Sequence, residues 1–502
     1  MKQSMVPALL FLLSFACPAA WGQVHYHDSG MPWKHTTRNG PDAEVGGWYY
    51  NLGITGLRAE LIKDQPTHLL IKYVFEDTPA HGEIQPDDVI VGANGKKFAT
   101  PHRNGYSVEV FGGHGPIMDF GNALDESQGD ELQGKLTVDV LREGKTLQVI
   151  LDVPTKYGRY GKTFPTDCKK SDLILEELYK FLAAEQRDDG SWGPPHTNTF
   201  APLALLASGK KEYLPLVKKC AQMHASTTKA ADFSGLINWR YMAAGIVLSE
   251  YYLATKEAWV LPELQQVHDF LISSQYVNTS QIAESSKDRN PPKDNQRAHG
   301  GWGHNPGYEG YGPIGMTTGQ GALVLALMHR CGIEIDRARH DKAYDFLVRG
   351  TGRNGYVWYA DAVSRHDRWA DMGRTGAAGV ANFLSPYDDE KYMKRALAHA
   401  RCIGEHPETM PDTHGSPLMG MGYTALAAHV DPTSFRKMMD SNRWWFTLSQ
   451  CADGTFYYQP NRDNNPYDFQ RGSRVSASAV VALVFSAKNK NLCVTGADRG
   501  AK

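Results

Sequence analysis

The sequence predicts a protein of two parts, a small β-rich domain followed by an all-α (α/α)6 toroid. Twelve candidate helices alternate in character through the last two thirds of the chain. Six of them are charged and amphipathic, at 171–185, 211–226, 259–275, 338–350, 390–405 and 433–449. The other six are rich in small residues and nearly uncharged, at 197–208, 237–255, 315–331, 373–384, 418–430 and 475–487.

The alternation of the two kinds of helix predicts two concentric rings. An amphipathic helix faces water on one side, whereas a helix that is apolar all round is buried on every side. Small residues in the uncharged helices, as in Gly376-Ala377-Ala378-Gly379, allow the close helix contacts that a closed ring needs. We therefore expect an outer and an inner ring of helices over residues 171–490.

The lengths of the connections predict which face of the toroid is functional. Connections from an inner to the next outer helix are short, whereas those from an outer to an inner helix are long, at 186–196, 227–236, 276–314, 351–372, 406–417 and 450–474. Long loops in compact domains are usually functional. They lie where the inner helices begin, and helix N-termini carry partial positive charge that favours anions.

The start of the chain predicts export to the periplasm or the medium. Lys2 precedes an apolar run from Leu9 to Phe15 that is too short to span a bilayer, and Ala20-Trp21-Gly22 offers a cleavage site. Residues 1–22 are therefore expected to be a signal peptide, and 23–45 an irregular segment. No later stretch is long enough to cross a membrane.

Composition excludes several classes of partner. The formal net charge of -2 gives no electrostatic case for nucleic acid or an anionic membrane. The six cysteines after the signal peptide form no CxxC pair, so we expect no structural metal and no cofactor. In an exported protein they either remain free thiols or form one disulfide.

Residues 46–155 predict the β-rich domain, with a linker at 156–170 and a C-terminal tail at 491–502. Leu136, Val138 and Val140 alternate with polar residues, and the same alternation returns after Gly144. This pattern indicates a β-hairpin.

The front domain resembles PDZ domains of the bacterial periplasmic-protease type. The resemblance lies in Asp77-Thr78-Pro79-Ala80, Gly82 to Ile90 and Asn94-Gly95-Lys96. It implies a helix at 118–125 beside a groove for a C-terminal or extended peptide, with the carboxylate-binding loop at Asn51, Leu52, Gly53 and Ile54. A PDZ-like fold that binds no peptide and docks against the toroid is the alternative.

A glycine–aromatic signature recurs in the long loops, in Gln186…Gly190-Ser191-Trp192-Gly193, Gly300-Gly301-Trp302-Gly303, Asn354-Gly355-Tyr356-Val357-Trp358 and Asp453-Gly454-Thr455-Phe456-Tyr457. It resembles the repeats of terpenoid cyclase and protein prenyltransferase toroids. Three further segments are Asn51-Leu52-Gly53-Ile54-Thr55-Gly56, Leu203 to Gly209 with Glu212 to Lys218, and Asp412-Thr413-His414-Gly415. With them, the whole chain resembles a family of secreted bacterial proteins known as domain of unknown function 6288, which implies a fold and a compartment but no activity. Neither the acid cluster of the cyclases nor the zinc site of the prenyltransferases is present.

The mouth of the predicted toroid carries a polar set suited to an anionic polysaccharide. Aromatic rings cover sugar faces, arginines pair with carboxylates or sulfates, and histidine, tyrosine or a carboxylate moves protons. We therefore expect a lyase or a glycoside hydrolase with a catalytic acid or base among His366, Asp367 and His414. The expected substrate-binding residues are Arg240, Trp302, His304, Tyr308, Arg374, Tyr457 and Arg474.

The sequence leaves a second function open. No complete catalytic constellation of a known kind is present, so the protein is alternatively a non-catalytic binder of peptide, glycan or both. Loop tryptophans and tyrosines next to glycine are also typical of rim packing. A deep pocket that holds His366, Asp367 and His414 within hydrogen-bond reach would favour the enzyme, and a mouth plugged by Trp302 and Trp358 would favour the binder.

Overall fold

The computed structural model describes residues 49–62, 64–102, 115–193, 196–229, 235–364, 371–387, 389–411, 417–457 and 472–498. The signal peptide and the irregular segment predicted at 1–45 lie outside these residues. Within them, no helix combines the length and the apolarity needed to cross a bilayer.

The front domain is an antiparallel sheet with one helix. Its described strands pair in the order β1-β2-β3-β4-β6-β7, and the short β5 pairs with β4. Helix α1, Pro116–Ser127, packs on β4 and β6 at the place predicted for the groove helix. The strands are β1 Tyr49–Asn51, β2 Leu57–Leu61, β3 Leu69–Val74, β4 Val89–Ala93, β5 Lys96–Lys97, β6 Lys135–Arg142 and β7 Lys145–Asp152.

Strands β6 and β7 form the hairpin that the alternation predicted. Arg142 lies opposite Lys145, so the turn consists of Glu143 and Gly144 alone. Both turn residues have positive φ, 50° and 77°, as the favoured two-residue hairpin turns require. The alternating apolar side chains Leu136, Val138 and Val140 of β6 are fully buried.

The rest of the chain is helical, with helices numbered in chain order. The inner helices are α3 Thr197–Ala207, α5 Ile237–Thr255, α7 Gly315–Arg330, α9 Gly373–Phe383, α11 Pro417–Ala428 and α14 Gly472–Ser486. The outer helices are α2 Lys169–Ala184, α4 Leu214–Thr227, α6 Val260–Ser274, α8 Arg337–Arg349, α10 Glu390–Glu405, α12 Pro432–Ser441 and α13 Arg443–Ser449.

The inner helices of the described chain form a closed ring. Each packs against the next, from α3 through α5, α7, α9 and α11 to α14, and α14 packs back against α3. The outer helices lie over this ring, for example α4 over α3 and α5, and α10 over α9 and α11. The helical toroid predicted from the alternation is therefore confirmed.

Glycines allow the inner helices to touch. A Cβ placed on Gly376 would lie 2.4 Å from the carbonyl carbon of Tyr423, and one on Gly373 would lie 2.6 Å from the Cα of Gly420. Neither approach leaves room for a side chain. The small residues of α9 therefore set its distance from α11.

The prediction of one outer helix at 433–449 is wrong in one respect, because the structure has two helices there. Asn442 lies between α12 and α13 with a ψ of 13°. Its side-chain amide donates to the carbonyls of Met438 (2.8 Å) and Pro407 (2.6 Å). Such side-chain bonds to backbone compete with helix continuation. The break redirects α13 onto helix α1 of the front domain.

A buried lysine joins the two parts of the protein. The Lys170 ammonium at the start of α2 donates to Asp125 (3.0 Å) and Gln128 (2.7 Å) at the end of α1. It also lies 4.2 Å from the centre of the Tyr160 ring. Burial lowers the pKa of Lys170, while Asp125 opposes that shift.

The C-terminal segment is tied to the inner ring. Glu250 on α5 is fully buried and accepts the backbone N–H groups of Cys493 (3.1 Å) and Val494 (2.9 Å). All six described cysteines are buried free thiols. Of the two alternatives left by the sequence, free thiols or one disulfide, the structure has free thiols.

Candidate functional site

A cavity of about 520 Å³ opens where the inner helices begin, on the side predicted from the loop lengths. Its walls come from the N-terminal ends of α3, α5, α7, α9 and α11 and from the loops before them. The lining residues are His196, Gly235, Leu236, Trp239, Arg240, His304, Tyr311, Ile314, Met316, Tyr359, Asp371, Gly373, Arg374, Met419 and Gly420.

Three of the predicted substrate-binding residues meet in this cavity, namely Arg240, His304 and Arg374. They come from three parts of the chain that are far apart in sequence, His304 from a loop and the two arginines from the first turns of α5 and α9. Arg240 is half-buried in the first turn of α5. The cavity therefore confirms that the long loops converge, and it brings together part of the predicted set.

A hydrogen-bonded chain crosses one wall of the cavity. The indole Nε1 of Trp239 donates to Nδ1 of His304 over 2.8 Å. Nε2 of His304 is hydrogen-bonded to the hydroxyl of Tyr311. Tyr311 in turn lies against Tyr359, with ring centres 5.7 Å apart.

Arg374 is held by the protein itself. Its guanidinium donates to Asp371 (2.8 Å), the carbonyl of Val357 (3.2 Å) and the hydroxyl of Tyr356 (2.9 Å). The side chain is 10% exposed, and its charge is balanced by Asp371. Arg374 therefore stabilises the cavity wall through these hydrogen bonds. Because Asp371 already balances its charge, it has less capacity to neutralise a substrate anion than the sequence predicted.

His196 is a cavity residue that sequence reasoning missed. It lies at the N-terminus of α3, where the main cavity meets a narrow extension between the inner helices. Burial lowers its pKa to about 4, so its imidazole is neutral at pH 7. His196 immediately precedes an inner helix, whereas Trp239 and Arg240 lie in the first turn of another, and no motif in the sequence marks it.

The other predicted binding residues do not line the cavity. Trp302 is fully buried in the core, and Tyr308 packs against Tyr276 beneath the 276–314 loop. Tyr457 is fully buried beside Phe75 of the front domain. Arg474 forms an ion pair with Asp453. These four residues therefore contact other parts of the protein and do not face the cavity.

The glycine–aromatic signature explains the burial of these tryptophans. In the first repeat, Trp192 donates its Nε1 proton to the carbonyl of Leu182 (2.7 Å) in the last turn of α2. Gln186 donates to the carbonyls of Gly190 (3.0 Å) and Leu216 (2.8 Å). The motif therefore satisfies carbonyls that the helix end leaves open and fastens α2 to α4.

The second repeat has the same geometry. Trp302 donates to the carbonyl of Leu271 (2.8 Å) in the last turn of α6, and Gln275 donates to the carbonyls of Gly300 (2.7 Å) and Arg339 (3.0 Å). A Cβ on Gly300, where φ is 90°, would collide with the backbone of α8. The motif is a packing device between successive outer helices, and Trp302 belongs to it.

The three predicted catalytic residues, His366, Asp367 and His414, lie outside the described residues. Asp371 directly follows the segment that contains two of them, and it lines the cavity. Met419 lines the cavity five residues after His414. Their assignment stays a prediction.

The predicted peptide-binding loop is covered by the toroid. Asn51, Leu52, Gly53 and Ile54 are all buried, and helix α13 packs on both this loop and α1. A Cβ on Gly53 would lie 2.8 Å from the carbonyl oxygen of Thr447 in α13. The place expected for a peptide is therefore taken by the chain's own helix, which favours the docking alternative.

Comparison with known proteins identifies a family. The profile of the domain of unknown function DUF6288 matches residues 171–496, well over half of the chain. The chain belongs to this family. The resemblance found in the sequence is thereby confirmed for the toroid. A search of curated proteins found no match.

Several solved structures are similar in fold. An inactive variant of the alpha-1,6-mannanase GH76A of Salegentibacter sp. HEL1_6, in complex with alpha-1,6-mannotriose, is 12% identical; the match covers 64% of this chain and 99% of that chain with a TM-score of 0.47. Cellobiose 2-epimerase from Bacillus thermoamylovorans is 12% identical; the match covers 63% of this chain and 98% of that chain with a TM-score of 0.42. A family 76 glycoside hydrolase from a bovine Bacteroides thetaiotaomicron strain is 9% identical; the match covers 71% of this chain and 84% of that chain with a TM-score of 0.43. At this level of similarity, the chemistry must be read from the cavity itself.

Proposed function

We propose that this protein is an exported enzyme that acts on an anionic glycan in the cavity of the toroid. The observation that carries the proposal is the lining of that cavity. Aromatic and apolar walls surround two histidines, two tyrosines and two arginines at the predicted mouth. Its volume of about 520 Å³ lies within the usual range of ligand pockets, about 300–1,000 Å³.

The charges favour an anionic ligand. Among the described lining residues, two arginines accompany a single carboxylate, Asp371. The histidines are neutral, because burial lowers the pKa values of both His196 and His304. The inner helices also direct the positive ends of their dipoles toward this side. A uronate or sulfate group would find a complementary field here.

The reaction is a lyase or a hydrolase reaction. Glycoside hydrolysis usually needs two carboxyl groups flanking the bond. In the described part of the lining, Asp371 is the one carboxylate, and it is engaged by Arg374. Elimination needs a base and a group that neutralises the substrate carboxylate, and these are available in tyrosine, histidine and Arg240. Hydrolysis would need a second carboxylate, for which Asp367 is the predicted candidate.

The experiment is a screen of the protein without residues 1–22 against uronate-containing, sulfated and neutral polysaccharides. Ultraviolet absorbance of an unsaturated uronate reports a lyase, and new reducing ends without that absorbance report a hydrolase. A shift in melting temperature reports binding, because a ligand that prefers the native state stabilises it. Stabilisation without product would favour the non-catalytic binder, and product from neutral glycans alone would refute the anionic substrate.

A pair of arginine variants sharpens this screen. Arg240→Ala removes a cavity cation, and we expect it to raise KM for the acidic glycan about 10- to 100-fold, since a hydrogen bond to a charged group contributes about 1.5–3 kcal/mol. Arg436→Ala is the matched control, because Arg436 lies on the exposed side of α12 and pairs with Asp440 (2.7 Å). Equal KM values for the two variants would remove Arg240 from the site.

For the front domain we propose a PDZ-like fold that docks the toroid and binds no free peptide. The burial of Gly53 and its neighbours under α13 supports this proposal. Titration of the intact protein with a library of C-terminal peptides should give no saturable binding. Saturable binding that is lost on blocking the peptide carboxylate would restore the peptide-receptor alternative.

A further inference from the structure

The chain of hydrogen bonds from Trp239 to Tyr311 fixes the tautomer of His304. An indole N–H can only donate, so Nδ1 of His304 must accept the bond of 2.8 Å from Trp239. In a neutral imidazole, the proton then resides on Nε2. His304 therefore donates to the hydroxyl oxygen of Tyr311.

The charge state of His304 agrees with this assignment. Burial lowers the pKa of His304, and the nearby Glu309 only partly opposes that shift. A proton on Nδ1 would also cost the bond from Trp239, since two donors would then face each other. The ring therefore remains a neutral donor toward Tyr311.

The backbone around His304 is rigidly placed. The backbone N–H of Asn238, in the first turn of α5, donates to the carbonyl of His304 (3.1 Å), and the Asn238 side chain donates to the carbonyl of Gly303 (3.0 Å). The rings of Trp239 and His304 stack, with centres 5.8 Å apart. Groups fixed in this way need little reorganisation when a reaction occurs.

Tyr359 holds the ring of Tyr311 from another side. The two rings lie with their centres 5.7 Å apart. Burial raises the pKa of Tyr359, so Tyr359 keeps its proton. The Tyr311 oxygen thus has its donor in His304 and its ring packed against Tyr359. The Tyr311 side chain is 52% exposed and faces the cavity.

We propose that Tyr311 is the catalytic base of this site, that His304 positions its oxygen, and that Tyr359 positions its ring. The proposal rests on the proposed function, an enzyme acting on an acidic glycan. It specifies β-elimination next to a uronate carboxylate as the reaction, with Arg240 placed to neutralise that carboxylate.

The step balances without an oxidant or a reductant. The Tyr311 phenolate takes the proton from the carbon beside the carboxylate, and the electron pair of that C–H bond becomes a C=C bond. The bond from the neighbouring carbon to the glycosidic oxygen breaks and leaves its electron pair on that oxygen. The proton now held by Tyr311 passes to the leaving oxygen, which restores the phenolate.

The test is the steady-state kinetics of Tyr311→Phe on the acidic glycan that the wild type cleaves. Loss of a general acid–base group lowers rates about 10²- to 10⁴-fold, so we expect kcat to fall by about 100-fold or more. Binding, followed by thermal shift with the intact glycan, should change little, because the ring is kept. Tyr252→Phe, at the far end of α5 and outside the cavity lining, is the matched control with wild-type kcat.

Variants of His304 test the positioning role. Glutamine offers an acceptor oxygen for Trp239 and an N–H donor for Tyr311, as the neutral imidazole does. We therefore expect His304→Gln to recover a large part of the kcat that His304→Ala loses, with similar KM values in both. Equal losses in kcat for the two variants would overturn the positioning role.

The outcomes separate the two proposals. Cleavage by the wild type together with wild-type kcat in Tyr311→Phe would overturn the assignment of the base and leave the proposed function standing. A wild type that cleaves none of the acidic glycans would overturn both. Cleavage to new reducing ends without the unsaturated product would overturn the elimination and point to hydrolysis.

Discussion

Replacement of Trp302 by phenylalanine distinguishes a packing residue from a sugar platform. The indole Nε1 donates to the carbonyl of Leu271 (2.8 Å), which also accepts the backbone N–H of Gln275 (3.1 Å). Because the carbonyl keeps one partner, the lost bond costs about 1 kcal/mol. The missing ring atoms leave a void in a fully buried site and add about 1–2 kcal/mol.

We therefore expect Trp302→Phe to lower the free energy of unfolding by about 2–3 kcal/mol, measured by urea denaturation. The shift in melting temperature caused by a bound acidic glycan should equal that of the wild type. Trp192→Phe, the equivalent change in the first repeat, should behave in the same way. Unchanged stability with lost glycan binding would refute the reasoning and return Trp302 to the site.

Three further predictions concern stability and are checked by urea denaturation. Lys170→Ala leaves Asp125 buried without its cation, with the backbone N–H of Tyr160 still donating to it, and should cost about 3–5 kcal/mol. An unchanged midpoint would contradict that. Burial lowers the pKa of His399 to about 4, below its unfolded value of about 6.5. The stability that His399 contributes is therefore present above pH 6.5, and the free energy of unfolding decreases by up to about 1.4 kcal/mol per pH unit as pH falls toward 4, because the unfolded chain takes up the proton first. His399→Gln should flatten that dependence. Gly376→Ala should cost about 2 kcal/mol or more, because its Cβ would meet the backbone of α11 at 2.4 Å; an unaltered unfolding curve would show that the ring can widen.

The rings of the toroid were predictable because the signal for each helix is local. A helix such as α7, whose only Lys, Arg, Asp or Glu is its last residue, Arg330, must be buried along almost all of its length, and its neighbour α8, with many charged residues, must lie outside. The position of the mouth followed from loop lengths alone. Neither inference depends on which atoms touch.

The helix that covers residues 51–54 of the front domain was not predictable. The motifs by which this domain resembles PDZ domains are local, but the covering helix, α13, lies almost 400 residues further along the chain than Gly53. The single side chain of Asn442 decides that α13 breaks away from α12. Periodicity carries no information about such a partner.

The candidate site residues also differ in how far the sequence could predict them. Aromatic residues in the long loops were predicted as a class, but the sequence does not say that Trp302 faces inward to cap α6 while Tyr311 faces the cavity. His196 carries no motif at all, and only its place between the cavity and its narrow extension marks it.

The sequence by itself determined the kinds of helices, their order and the face that carries the long loops, because burial and length are properties of each segment alone. Only the tertiary structure decided which side chains share the cavity and in which protonation state. Trp239 and His304, 65 positions apart, form one hydrogen bond only after the ring of inner helices has closed. That bond assigns the proton of His304, since a donor-only indole leaves the histidine no other neutral tautomer.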